Sequence, residues 1–373
     1  SEREQYRTYG AYYLYTRNYQ QASEKLSELT QKFPADDAAR TNLALAYFYG
    51  RNIPRAVDAE KELVKLHPEN VLYRGNLALY AMYGGQFDEA IRQAQEALKR
   101  NEAYQLALVA MALSQFAEGK TAEAAATYSK LNATDADGGS VASIGLADMA
   151  LYEGRNAEAV RILEAGVEAD LKQPNLSAAA VKLAALAAAQ HSAATAERSL
   201  KTDREAAFPA ARVLLEAKQE ARAMEVAKQI GARPEPEPQA QAKLLEGEAL
   251  LLKGKSQDAI RVILEAQKLA DSWIGRFDLG RAYLAAGLFP EASEELNTCI
   301  KRSGEATAVF LDDTPSYRYF APVYYYLAQA QEGLKSAGAA ESYKKFLAIK
   351  AKADPGDAMV ADARKRAAAL GVQ

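Results

Sequence analysis

Cysteine occurs once in the 373 residues, tryptophan once and histidine twice. The lone thiol of Cys299 excludes an internal disulfide and a cysteine-built metal site, and His67 and His191 are too few for a histidine-rich metal or catalytic centre. No stretch approaches the roughly 18 apolar residues that a membrane span needs. There is no signal-peptide pattern and no initiator methionine, so a chain starting at Ser1 reads as a piece of a longer polypeptide, with a mature product as the alternative. Charge of one sign is also missing: 46 basic and 49 acidic residues leave a formal net charge of −3. The two signs alternate along helical patterns instead of clustering, so no phosphate-neutralising surface forms and nucleic acid is not an expected partner. What is present, 49% hydrophobic and 25% charged residues, is the make-up of a soluble globular chain.

The organising feature is a repeat. Arg3 to Pro34 and Asp37 to Pro68 each read as two helical patterns joined by a tight turn and closed by proline, with the prolines 34 residues apart. Ala22, Ala56, Ala90 and Ala124 recur at the same spacing, and Ala159, Ala259, Ala292 and Ala340 hold the same place in later units. Gly85, Gly119, Gly154, Gly254 and Gly287 each lie five residues before that alanine. Such a glycine fits the left-handed residue that ends a helix, and the alanine fits a close approach of two antiparallel helices. A third marker is a pair ending in a small residue: Tyr9-Gly10, Leu43-Ala44, Leu77-Ala78 and Leu279-Gly280, with Tyr13, Tyr47 and Tyr283 three residues beyond the small one. Glu102, where proline is expected, and Glu60, at a usually aromatic position, depart from the pattern.

Together these residues resemble the tetratricopeptide repeat. The resemblance implies an all-α chain, an α-α superhelix of about eight to ten helix pairs with a C-terminal capping helix. Clear units are expected at about 3–36, 37–70, 71–104, 105–139, 140–174, 240–272, 273–305 and 321–354. An N-terminal array over 1–230 turns degenerate from about 175, where alanine-rich helices broken near Phe208-Pro209 promise thinner packing. Residues 231–238, with alternating prolines, read as an extended polyproline linker. A C-terminal array over 239–373 carries an inserted loop at 305–320 and an amphipathic capping helix at 358–370.

The stretch from Gly304 to Arg366 resembles the C-terminal end of the tetratricopeptide regions attached to bacterial transmembrane serine/threonine protein kinases, especially those of acidobacteria. The opening, Ser1 to Glu24, is similar to a stretch inside the same regions. The resemblance implies the regulatory or sensor region of such a kinase: a soluble segment of a parent anchored in a bacterial inner membrane, on a side left open. A stand-alone adaptor, or the repeat region of a winged-helix transcriptional regulator, are the alternatives. Kinase catalytic motifs are missing from this chain, and no constellation of base, nucleophile and orienting group replaces them. Gly119-Lys120-Thr121 and Gly254-Lys255-Ser256 mimic the end of a phosphate-binding loop, but Ser114 and Ala249 stand where its first glycine belongs. Asp278-Leu279-Gly280 mimics a kinase metal-binding triplet at a repeat packing position. No enzyme, no cofactor and no metal are therefore expected, and Cys299 reads as a buried, inert thiol.

The expected partner is a protein or peptide, with self-association of the region as a further route to signalling and no membrane contact by this segment. In the resembled repeat the first helix of each pair lines the concave face. Tyr15, Phe48, Tyr49, Met82, Tyr83 and Phe116 recur about one repeat apart and are expected to form a strip in a groove over residues 1–135; inter-repeat packing is the alternative role. Asn42 and Asn76 take the place where this repeat often holds a peptide backbone, since an amide both donates and accepts. Thr41 and Gly75 replace the cations that a carboxylate clamp would need. The insertion offers a second candidate surface: Phe310, Asp312, Asp313, Tyr317, Tyr319 and Phe320. One of the two aspartates is expected to cap a helix starting near Pro315 or Ser316, rather than bind a cation. His67 is expected to meet terminal carbonyls of its helix, and His191 has no evident partner.

Overall fold

The computed structural model describes residues 1–371. All regular structure among them is helical, and the helices pack into two compact units. Unit 1 comprises residues 1–139 together with Phe310–Asp313, and unit 2 comprises 140–309 together with the chain from Thr314 onward. The array thus divides between Gly139 and Ser140, not near residue 235.

Unit 1 holds α1 (Glu2–Tyr15), α2 (Tyr19–Lys32), α3 (Asp37–Tyr49), α4 (Ile53–Leu66), α5 (Val71–Tyr83), α6 (Phe87–Leu98), α7 (Gln105–Ala117) and α8 (Thr121–Asn132). Helix α9 (Ala136–Glu153) crosses the boundary in sequence. Unit 2 continues with α10 (Asn156–Lys172), α11 (Leu176–Gln190), α12 (Ala193–Thr202), α13 (Ala207–Glu216), α14 (Glu220–Gly231), α15 (Pro236–Leu252) and α16 (Ser256–Leu269). It ends with α17 (Trp273–Ala285), α18 (Phe289–Lys301), the short α19 (Ser303–Ala306), α20 (Ala321–Gly333), α21 (Gly338–Ile349) and α22 (Ala358–Ala369).

Local chemistry explains the boundaries. Asn18, Asp36, Asn52 and Asn70 precede α2, α3, α4 and α5, and each side-chain oxygen accepts a backbone N–H of the first turn, a cap worth about 1 kcal/mol. The five marker glycines all take positive φ, from 70° to 81°. Arg17 and Arg51 fill the same left-handed place in the first two pairs, at φ 56° and 59°, so the turn is imposed by the pairing of its helices even where glycine is absent. The timekeeping alanines up to Ala292 are fully buried. In the last pair the buried residue is Ala339, not Ala340, because the turn before α21 is one residue tighter, with Ala339 N donating to Ser336 O.

In three pairs a large residue at this contact meets glycine on the opposite helix. A Cβ on Gly10 would lie 2.6 Å from Leu26, one on Gly247 2.6 Å from Ile263, and one on Gly280 2.9 Å from Leu296. Gly280→Ala is therefore expected to destabilise unit 2. Overpacking costs about 1–3 kcal/mol against roughly 1 kcal/mol gained in helix propensity. A thermal melt that rises instead would show that Leu296 yields freely.

Three expectations change. The prolines of 231–238 do not form an extended linker: Pro236 and Pro238 sit in the first turn of α15, where a missing N–H leaves no helical bond unmade. The stretch from 175 folds into two further pairs, α11 with α12 and α13 with α14, and Phe208-Pro209 opens α13 rather than breaking a helix. The helix expected near Pro315 or Ser316 does start beside Ser316, but it is a single 3-10 turn rather than an α-helix. The insertion runs through a 3-10 turn, Tyr317–Tyr319, into α20. The final helix does cover the last pair, burying Val360, Ala363 and Ala367 against Tyr343 and Phe346.

Candidate functional site

The first helices of unit 1 carry two neighbouring rows of residues at the 34-residue spacing. Leu14, Phe48, Met82 and Phe116 form one; Tyr15, Tyr49 and Tyr83 form the other, which ends at Ala117. One residue along a helix is a turn of about 100°, so the rows face differently. Phe48, Met82 and Phe116 are buried, with Phe48 4.9 Å from the rings of both Tyr80 and Tyr83. They belong to the inter-helix core, and the single strip expected from the sequence is two faces. Tyr15 is 89% exposed, Tyr49 39% and Tyr83 2%. Tyr49 stacks on Tyr19 with ring centres 5.4 Å apart and meets Phe48 edge-on at 5.1 Å. Tyr9 and Tyr12, absent from the expected strip, add exposed rings to α1; counting back from Tyr49 by one repeat and then by a helical turn would have found Tyr12.

Tyr83 is covered by residues from the insertion. Its hydroxyl accepts the Asp313 backbone N–H and donates to Asp313 Oδ1, both at 3.2 Å. Leu311 is buried, Phe310 and Asp313 are half-buried, and Asp312 is exposed. Burial, with the nearby charge of Asp312, pushes the Asp313 carboxyl up to about 6 against the pull of Tyr83. Burial and the same aspartates push the Tyr83 phenol far above its ordinary value.

The asparagines of α3 and α5 are both half-buried. Asn76 Nδ2 donates to Glu60 Oε1 of α4 at 3.2 Å, so it serves the core at least as much as the surface. Glu60 is fully buried, its Oε2 has no hydrogen-bond partner, and desolvation raises its carboxyl to about 8.

In unit 2 the insertion's aromatics are not a surface. Tyr317 and Phe320 are buried and stack at 4.9 Å, and Tyr317 also stacks on Tyr152 at 5.1 Å. Tyr319 is half-buried beneath the Arg318 guanidinium. Neither Asp312 nor Asp313 caps this turn. Asp148 of α9 does so, accepting from Tyr317 N at 2.7 Å and Arg318 N at 3.2 Å, and its charge is met by the Arg318 side chain at 2.8 Å.

The remaining sequence candidates settle into structural roles. Gly119 and Gly254 of the two phosphate-loop mimics are left-handed turns between paired helices. Asp278 is buried and receives a two-pronged contact from Arg212 at 2.6 and 2.9 Å. His67 Nε2 lies 2.7 Å from Asp37 rather than on terminal carbonyls, and His191 adopts a left-handed cap at the end of α11. The Cys299 thiol is buried and pushed far above its ordinary value by that burial. Among the described residues no group of three or more His, Cys, Asp or Glu is placed to hold a metal ion, and no helix is long and apolar enough to cross a membrane.

Unit 2 also encloses an open cavity of about 650 Å³ between α15, α17, α18, α20 and α22, lined by Leu252, Phe289, Tyr326, Arg281 and Arg366 among others. Its cations are already paired, Arg281 with Glu248 and Asp278, and Arg366 with Glu332 and Asp362.

No curated protein matches the chain in sequence. Among solved structures it is similar to a tetratricopeptide repeat protein from Parabacteroides merdae ATCC 43184, at 15% identity and a TM-score of 0.41, over 75% of this chain and 98% of the other. It is also similar to the TPR domain of P58(IPK), at 13% identity and a TM-score of 0.27, over 99% and 98% of the two chains. The family model for the tetratricopeptide repeat matches residues 10–71, 76–139 and 244–307, just over half of the length. With its paired helices, left-handed turns and buried alanines each in register, the chain belongs to the tetratricopeptide repeat family.

Proposed function

We propose that this chain is a non-catalytic interaction scaffold whose unit 1 holds an extended segment of a partner protein along the tyrosine row of α1, α3 and α5. Tetratricopeptide repeats are protein-interaction modules. The observation that carries the finer reading is the recurrence of Tyr15, Tyr49 and Tyr83 at one repeat position, with the first two rings standing outside the core. A tyrosine offers a large apolar face and a hydroxyl that donates and accepts, which suits an extended backbone. Peptides selected from a library on the full chain provide the test. Combining Tyr15→Ala with Tyr49→Ala is expected to weaken them at least tenfold, the loss typical of removing well-packed aromatic anchors. Tyr15→Ala should leave Tm unchanged, because that ring is 89% exposed. Peptides that bind both forms equally would exclude the row.

The same reading places the scaffold in the regulatory region of a bacterial serine/threonine protein kinase, supported by the likeness of its two ends to such regions. The coding sequence upstream of Ser1 tests this: a kinase domain and a membrane helix are expected there, and a winged helix, or no further domain, overturns it. Self-association would bring two such kinases together, and a chain that sediments as a monomer at every attainable concentration would remove that route.

A further inference from the structure

Phe310–Asp313 belongs to unit 1 although the residues on either side of it belong to unit 2. The segment lies in the insertion, outside the repeat pattern, so no helix pair requires it. It meets the tyrosine row at its third member. The Tyr83 hydroxyl is engaged by the Asp313 backbone and carboxylate together, at 3.2 Å each, so it donates and accepts at once on a single residue of the segment. Exposure along the row falls from 89% at Tyr15 to 39% at Tyr49 and 2% at Tyr83, the position the segment covers.

The backbone of the segment is held in a way a separate ligand would not share. Leu311 and Asp313 hold φ at 54° and 58°, a left-handed backbone disfavoured for residues with a Cβ, and most of all for leucine. The turn that follows Tyr83 carries Gly85, whereas the turns after Tyr15 and Tyr49 carry Arg17 and Arg51 at the same repeat position.

We infer that Phe310-Leu311-Asp312-Asp313 is an internal occupant of the tyrosine row, standing where a partner peptide with an aromatic–aliphatic pair followed by two acidic residues would dock. The inference rests on the reading of unit 1 as the peptide-binding part. It adds that the row is occupied at its Tyr83 end in the free chain and that an acidic peptide docking there must displace the chain's own segment.

The test uses the full chain and the decapeptide Thr-Ala-Val-Phe-Leu-Asp-Asp-Thr-Pro-Ser, the sequence of residues 307–316. Asp312→Cys, labelled with an environment-sensitive dye, reports release of the segment, and Cys299 is buried and does not compete for label. The decapeptide is expected to change the emission saturably, while a version with both aspartates replaced by serine needs at least tenfold more. In parallel, fluorescein-labelled decapeptide should bind a Leu311→Ser chain at least tenfold more tightly than the wild type, because the internal competitor has lost its apolar anchor. Tyr83→Phe added to Leu311→Ser should reverse most of that gain. Emission that no concentration of peptide alters overturns the inference, and this readout needs no change in the core. Equal affinity for a folded Leu311→Ser chain and the wild type overturns it too. Should library peptides bind through Tyr15 and Tyr49 while the decapeptide does not, self-occupancy falls and the scaffold reading stands. Should neither class bind, both fall.

Discussion

Lys182→Met is expected to lower the stability of unit 2 by about 3–5 kcal/mol, the range for stripping one partner from a buried ion pair. The Lys182 side chain is 1% exposed and that of Asp170 4%. The ammonium donates to the Asp170 carboxylate and, at 2.7 Å, to Ser140 Oγ, so the contact joins α9, α10 and α11. Burial drags the Lys182 pKa below the ordinary lysine value, while Asp170 pulls it back up. Space for the long stem comes from Gly166, where a Cβ would stand 2.9 Å from Lys182 Cδ. Methionine keeps the stem and removes the charge, which leaves the Asp170 carboxylate buried with no cation. Adding Asp170→Leu should restore the loss and exceed it by about 1–4 kcal/mol, since packed apolar groups often outperform a buried pair. Urea melts followed by helical circular dichroism, with amide exchange of α11 to assign the transition to unit 2, measure both. Unchanged exchange in α11 after Lys182→Met would mean that water reaches the pair.

The location of this pair shows what the sequence could and could not convey. A run such as Ala178-Ala179-Ala180 or Ala187-Ala188-Ala189 signals a helix but gives no address, because alanine surfaces fit one another in many registers. Lys182 supplies a directional contact there, and its partners lie 12 and 42 residues away, beyond the reach of any local pattern. The repeat itself was legible for the opposite reason. Close approach of paired helices tolerates only small residues, and a left-handed turn selects glycine, so both constraints surface as letters at fixed spacing.

Sequence reasoning fails where one residue type serves two local structures. Proline at 236 and 238 is as compatible with the first helical turn as with an extended linker, and only the packing of α15 on α14 and α16 decides between them. An aspartate before a turn is a sound cap signal, yet the cap comes from Asp148, 169 residues away from Tyr317. The groove candidates suffer from resolution along the helix. Phe48 and Tyr49, or Met82 and Tyr83, are neighbours in sequence but belong to the core row and the tyrosine row respectively, so a list of aromatics per repeat merges the two. Period alone separates them, because Tyr15, Tyr49 and Tyr83 share one register and Phe48, Met82 and Phe116 another.

Glu60 is a local departure from the repeat pattern with a large expected consequence. It holds the position that Leu26, Tyr128, Leu163, Ile263, Leu296 and Tyr343 occupy in other pairs, all of them buried. A carboxyl there keeps one hydrogen bond, from Asn76, and leaves Oε2 without a partner. Desolvation raises its pKa from 4.5 to about 8. Below pH 4.5 the native and unfolded chains both hold the proton, and Glu60 adds no pH dependence. Between 4.5 and 8 the native chain keeps a proton that the unfolded chain has released, so stability falls as pH rises. Above 8 both have lost it and the curve flattens. At 1.36 kcal/mol per unit the full span is about 5 kcal/mol, of which about 3 kcal/mol is already lost at pH 7. Glu60→Leu should therefore stabilise unit 1 by a few kcal/mol at pH 7.5 and little at pH 4.5, with Glu60→Gln removing the slope while retaining the bond from Asn76. Melts of the three chains across pH 4.5–8.5 decide it. Parallel pH profiles for wild type and Glu60→Gln would show that the Glu60 carboxyl reaches solvent and titrates as an ordinary glutamate.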